Sequence, residues 1–114
     1  MKIERFEDII AWQKSEILVL DIYKNFKNCR DFSFRDQIQR AVVSIMNNIA
    51  EGFERRTNKE LINFLFVAKG SCAEVRSMLH LALKLNYISR NKFDEWYLLT
   101  TEISRMLSGF IKTL

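Results

Sequence analysis

Ser44, Asn48, Glu51 and Arg55 recur at steps of three or four through the stretch SIMNNIAEGFERR, so a helix sets them along one side. Gln37 and Arg40 extend the row toward the N-terminus. Hydroxyls, an amide, a carboxylate and guanidiniums aligned in this way suit one of two tasks. They form a surface for binding or proton transfer, or they hydrogen-bond across a helix–helix seam and set its register. The row runs into Arg55 and Arg56, with Lys59 one turn further on. Cations grouped so closely suit phosphate contacts, which position a nucleic acid without reading its sequence.

Other chemistry-bearing residues are sparse. His80 is the sole histidine, so the paired Glu-x-x-His ligands of a di-metal bundle cannot be assembled. Cys29, Cys72 and His80 lack the spacing of zinc ligands. Ser71 and Cys72 lie two or more helical turns from His80, too far for a nucleophile–base pair. No phosphate-cradling glycine loop occurs. The two cysteines show neither C-x-x-C spacing nor a disulfide framework, and roughly 20 Å of helix separates them. These readings predict no catalysis, no metal and no cofactor.

The elements that position these groups follow from composition and periodicity. The chain has 114 residues, 48% of them apolar, with no proline and only three glycines. That length suits one domain, and so few turn-forming residues leave room only for long helices with short connections. The apolar periodicity predicts helices over about 8–27, 34–54, 58–86 and 90–113. Ile9, Ile10, Ile17, Leu20, Ile22, Tyr23 and Phe26 make the apolar set of the first. Ser33, with Asp36 three residues on, reads as the N-cap of the second; Thr57 with Glu60 opens the third, and Ser89 the fourth. Connections this short make neighbours antiparallel, so the expected fold is an all-α, up-down-up-down four-helix bundle forming a single domain.

Folding the second and third helices back to back at Arg56 brings Ser44 to the height of Lys69, Gly70 and Ser71, and Arg40 to that of Glu74. The predicted polar seam is therefore Arg40, Ser44, Asn48, Glu51, Gly70, Ser71 and Glu74. In it Gly70 lets the backbones approach, Ser44 meets Ser71, and Arg40 pairs with Glu74. Glu51 faces Leu61 or Ile62, with Arg55 as its nearest partner; it is either solvated or a functional group. Trp12, Phe66 and Leu83 fall outside the tidiest core rows, which points to a homo-oligomer.

Formal net charge is +4, a mild excess that permits an acidic partner without demanding one. Lys24, Lys27, Arg30, Arg35, Lys84, Arg90 and Lys92 gather at one end of the expected bundle. Arg55, Arg56, Lys59, Lys2, Arg5 and Lys112 gather at the other. No apolar run is long enough to span a bilayer, and the opening MKIERFEDII lacks the layout of a signal peptide. The expectation is cytoplasmic residence with no membrane partner.

The segments FEDIIAWQKS, RDQIQRAVVSIMNNIAEGF, FLFVAKGSCAEVRSML and LNYI, in that order, resemble the small four-helix-bundle proteins first noticed as reading frames in intervening sequences of 23S rRNA genes. The run Asn48-Ile49-Ala50-Glu51-Gly52 and the Gly70-Ser71 pair with Glu74 are its most specific parts. The resemblance implies a ring-like homopentamer with no established enzymatic activity. Its relatives include accessory proteins of diversity-generating retroelements, which implies basic oligomers that bind nucleic acid and a reverse transcriptase. Two functions follow. One is a module holding structured RNA or DNA through Arg55, Arg56 and Lys59. The other is a scaffold that binds a protein partner and no nucleic acid.

Overall fold

Where each helix begins depends on which side chain satisfies its first backbone N–H groups. Thr57 Oγ1 accepts from Glu60 N at 3.1 Å, and Ser89 Oγ accepts from Lys92 N at 3.1 Å. Ser33 does not act as a cap. Asp31 takes that place, with Oδ1 accepting from Phe34 N at 3.1 Å. Asp and Ser cap about equally well, but Asp31 also accepts from Tyr87 Oη at 2.7 Å. That second bond ties the connection before the helix to the one before the last helix.

The computed structural model describes residues 2–114. A 3-10 turn, Phe6–Asp8, precedes α1 (Ile10–Asn25), α2 (Phe32–Phe53), α3 (Asn58–Lys84) and α4 (Arg90–Lys112), and no strand occurs among the described residues. The first helix thus starts later than expected, because Ile9 is extended between the turn and α1. The third stops at Lys84 because Asn86 turns left-handed, at φ 62°. Asn86 N then bonds Leu83 O at 3.1 Å and Tyr87 N bonds Ala82 O at 2.8 Å, the Schellman closure with asparagine in place of glycine.

Cross-helix contacts give the topology. Phe26 meets Phe34 at 5.7 Å between ring centroids, Ser44 meets Ser71, His80 meets Phe93 at 5.0 Å, and Lys14 pairs with Glu102 at 2.8 Å. Each helix therefore runs antiparallel to its neighbours, and α1 and α3 stand diagonally, without direct packing between them. The result is a single up-down-up-down bundle measuring 42 × 22 × 19 Å.

The buried row of α1 is Ala11, Ser15, Leu18 and Ile22; of the expected apolar set Ile9, Ile22 and Phe26 are buried, and the other four are not. Ala11 and Ser15 are small, and the buried Ser15 Oγ donates to Ala11 O at 2.6 Å. The bulky Ile10, Ile17, Leu20 and Tyr23 face outward, Leu20 at 65% exposure. Trp12 and Leu83 pack partly buried against the core, whereas Phe66 is 54% exposed. Gly70 does not make the close approach expected of it. A Cβ at Gly52 would stand 2.6 Å from Phe64 Cβ, but one at Gly70 would meet nothing within 4 Å. The close approach of α2 and α3 is therefore at Gly52. Among the described residues no helix is long and apolar enough to cross a membrane.

Candidate nucleic-acid interface

The polar row on α2 resolves into a short, self-satisfied chain. Asn48 Nδ2 donates to Ser44 O at 2.8 Å and to Ser44 Oγ at 3.0 Å. Ser44 Oγ lies 2.8 Å from Ser71 Oγ on α3. Two turns toward the start of α2, Gln37 Nε2 donates to Glu74. Gln37 therefore takes the carboxylate expected to pair with Arg40, and Arg40 is exposed and in no ion pair among the described residues. Glu51 and Gly70 are exposed too and stand outside the bonded chain. A counted hairpin aligns heights along two helices, but the rotation of each side chain about its axis decides which residues meet. On the next face of α3, Lys69 Nζ donates to Ser104 Oγ at 3.4 Å and to Ser108 Oγ, so this cation is spent on α4.

The cations at the α2–α3 connection are arranged differently. Arg55 and Arg56 follow the C-cap Glu54 and precede the N-cap Thr57. The Arg55 guanidinium lies over the Phe64 ring, 4.6 Å from its centroid, a cation–π contact that holds the charge at the surface without neutralising it. Together with Lys2, Phe53, Leu61 and Phe110, the two arginines line a cleft of about 540 Å³. No Asp or Glu side chain lines that cleft. None of Lys2, Arg55 and Arg56 forms an ion pair among the described residues. The end of α2, the start of α3 and the end of α4 all open onto it. Lys59 is exposed on the first turn of α3 but does not line the cleft. Arg5 is taken by Glu7 and Asp8, each at 3.8 Å. Arg55 also lines a second hollow, with Phe6, Ala50, Glu51 and Glu54, but forms no ion pair there.

At the opposite end a cleft of about 460 Å³ is lined by residues including Phe26, Cys29, Arg30, Asp31 and Tyr87. Here an acidic side chain shares the cleft with the arginine. The Tyr87 hydroxyl, then the Phe34 N–H, hold the Asp31 carboxyl below its ordinary range, so the carboxylate stays ionised beside Arg30. Arg35 pairs with Asp36 at 3.1 Å, Arg90 with Asp94 at 3.3 Å, and Lys92 with Glu95 at 3.7 Å. His80 packs edge-on against Phe93 and Tyr97. Burial pushes the Cys72 thiol up to about 11, so it stays protonated and a poor nucleophile.

Sequence reasoning brought Arg55, Arg56 and Lys59 together through adjacency alone. It placed Lys2 at the same end, and Phe53 is only two residues from Arg55. Phe110 beside the arginines carries no local signal, because it depends on how α4 closes over the connection.

Residues 7–109 match the family model described as 23S rRNA-intervening sequence protein. The fold is similar to a crystal structure of a protein with unknown function from the S23 ribosomal protein family of Bacteroides thetaiotaomicron. The TM-score is 0.84 at 28% identity, over 90% of this chain and 98% of that one. No curated protein matches the sequence.

Proposed function

We propose that this chain, which belongs to the 23S rRNA-intervening sequence protein family, is a non-catalytic oligomeric module of the cytoplasm that holds RNA or DNA through its α2–α3 end. The observation that carries this reading is the set of cations in no ion pair among the described residues, Lys2, Arg55 and Arg56, around a cleft that no Asp or Glu side chain lines. Cations already matched by carboxylates gain little from a phosphate, whereas unmatched ones release counterions from the nucleic acid on contact. Free thiols at Cys29 and Cys72 agree with a reducing compartment.

The outward apolar residues support the assembly. Ile10, Ile17 and Leu20 lie on α1, and Phe66, Val67 and Leu81 on α3, at diagonal corners of the bundle. Two different faces that both need cover favour head-to-tail contacts between copies, which close into a ring when the rotation permits. Five copies is the number the family resemblance implies. Such a ring repeats one modest basic end several times and enlarges its field.

Fluorescence anisotropy of a labelled RNA hairpin and a matched DNA hairpin, across a salt series, tests the binding. Affinity that falls steeply with salt, and is lost on Arg55→Glu with Arg56→Glu, is expected. No binding at low salt would leave the scaffold with a protein partner as the surviving function.

A further inference from the structure

Phosphate contact by surface cations needs no cavity, yet the cations at the α2–α3 end surround one. Its volume of about 540 Å³ lies within the range of sites that enclose small ligands. Two half-buried aromatic rings, Phe53 and Phe110, line it, and the exposed amide of Asn58 stands at its edge. Aromatic faces, an amide with both donor and acceptor, and cations without counter-charges are the groups that grip an unstacked base and its phosphates. A single carboxylate ligand would satisfy only one of Lys2, Arg55 and Arg56. A nucleotide within a strand brings a phosphate on each side of its base.

We infer that this cleft takes one unstacked nucleotide, with its base against Phe53 and Phe110 and its flanking phosphates toward Lys2, Arg55 and Arg56. The inference rests on the nucleic-acid reading above and adds a preference that reading lacks: single strands over duplexes. A duplex presents phosphates but keeps its bases stacked, so it reaches the rim and not the interior.

Gly109 makes the test clean. It lines the cleft from α4, and a Cβ there would meet nothing within 4 Å. Gly109→Leu therefore places its Cβ in open space and adds three carbons at the cleft wall, and it replaces a poor helix former by a good one. Labelled oligouridine, which forms no stable structure, is compared with an RNA duplex of equal length, binding to wild type, Gly109→Leu and Asn58→Ala. Single-strand affinity of the wild type should exceed duplex affinity by about tenfold, the worth of one base–aromatic stack. Gly109→Leu should remove that margin, leave duplex binding unchanged, and melt at or above the wild-type temperature. Asn58→Ala, at an exposed position, should reduce the margin in part. Displacement of the oligouridine by uridine monophosphate would extend the site to free nucleotides, and no displacement would confine it to strands. Equal affinity for both probes, or a margin that survives Gly109→Leu, would overturn the inference and leave the phosphate-binding module standing. Failure of both probes at low salt would instead remove the module itself.

Discussion

The two ends of the bundle carry similar raw materials and put them to different use. Each has a cleft with an aromatic wall and arginine beside it. At the α1–α2 and α3–α4 end, Arg30 shares its cleft with Asp31, and Tyr87 and Phe34 N both donate to that carboxylate. At the α2–α3 end, Arg55 and Arg56 share theirs with Lys2 and no acidic side chain. The first places a carboxylate in the same cleft as its arginine, although Arg30 forms no ion pair among the described residues, and its Tyr87–Asp31 bond joins two connections of the fold. The second leaves its charges facing solvent. The contrast shows that the number of basic residues at an end says less about binding than whether a carboxylate shares their cleft.

The largest expected effect breaks that contrast directly. Arg55→Glu with Arg56→Glu should weaken nucleic-acid binding by about 100-fold or more near physiological salt and flatten the salt dependence by roughly one unit of slope per guanidinium. Arg30→Glu, which reverses a charge of the Asp31 end, should change affinity by only about twofold. Anisotropy titrations of both variants against one RNA hairpin decide the point. Equal losses would mean that net charge matters and the cleft does not.

A second variant tests how the open end is built. Gly52 brings the last turn of α2 against Leu61 and Phe64, and a Cβ there would lie 2.6 Å from Phe64 Cβ. That atom is fixed to the α3 backbone and cannot swing aside, so Gly52→Ala must push the helices apart. Urea unfolding should show a loss of about 2 kcal/mol, typical of overpacking. Gly109→Ala, which meets nothing within 4 Å, should gain about 0.5 kcal/mol from helix propensity. Opposite signs for the same substitution at the same end would locate the tight contact on the α2–α3 side of the cleft and the free space on the α4 side.

How much of this was legible in the sequence depends on the distance over which each feature is decided. Thr57 and Ser89 are local signals, and both cap their helices. Asp31 prevails over Ser33 because of Tyr87, a partner far along the chain that no cap motif reveals. On α1, hydrophobicity could not choose a face, because bulky apolar side chains occur around much of the helix. The face that is buried carries Ala11 and Ser15 along with Leu18 and Ile22. Gly52 and Gly70 are the same residue type on helices at the same seam, and only the rotation of each helix makes one a contact and the other open. Gln37 takes Glu74 ahead of Arg40 for a similar reason, one turn away. The Arg55–Arg56 pair was visible as sequence neighbours, but the cleft beside it also needs Lys2, Gly109 and Phe110 from the two ends of the chain.

The smallest expected effect concerns the Asp31 end and sharpens its reading as architecture. Tyr87 Oη donates to Asp31 Oδ2 at 2.7 Å across two connections. The bond needs an ionised carboxylate and a protonated phenol, and each favours the other. The Tyr87 hydroxyl and then the Phe34 N–H lower the pKa of Asp31; the bond to Asp31 is the leading cause that raises that of Tyr87. A lowered carboxyl contributes stability that is complete above its ordinary value of 3.8 and disappears as pH falls through the folded-state value below it. A raised phenol contributes stability that is complete below its ordinary value of 10.0 and disappears as pH rises through the folded-state value above it. Between those limits Tyr87→Phe should lower the melting temperature slightly, and the deficit should close in acid as Asp31 takes up its proton. Thermal melts of the two proteins from pH 7 down to strongly acidic buffer would show the two curves converging. RNA affinity at pH 7 should be the same in both, because this bond joins connections at the end remote from Arg55 and Arg56. A Tyr87→Phe protein with undiminished stability but weakened RNA binding would reverse the assignment of the two ends.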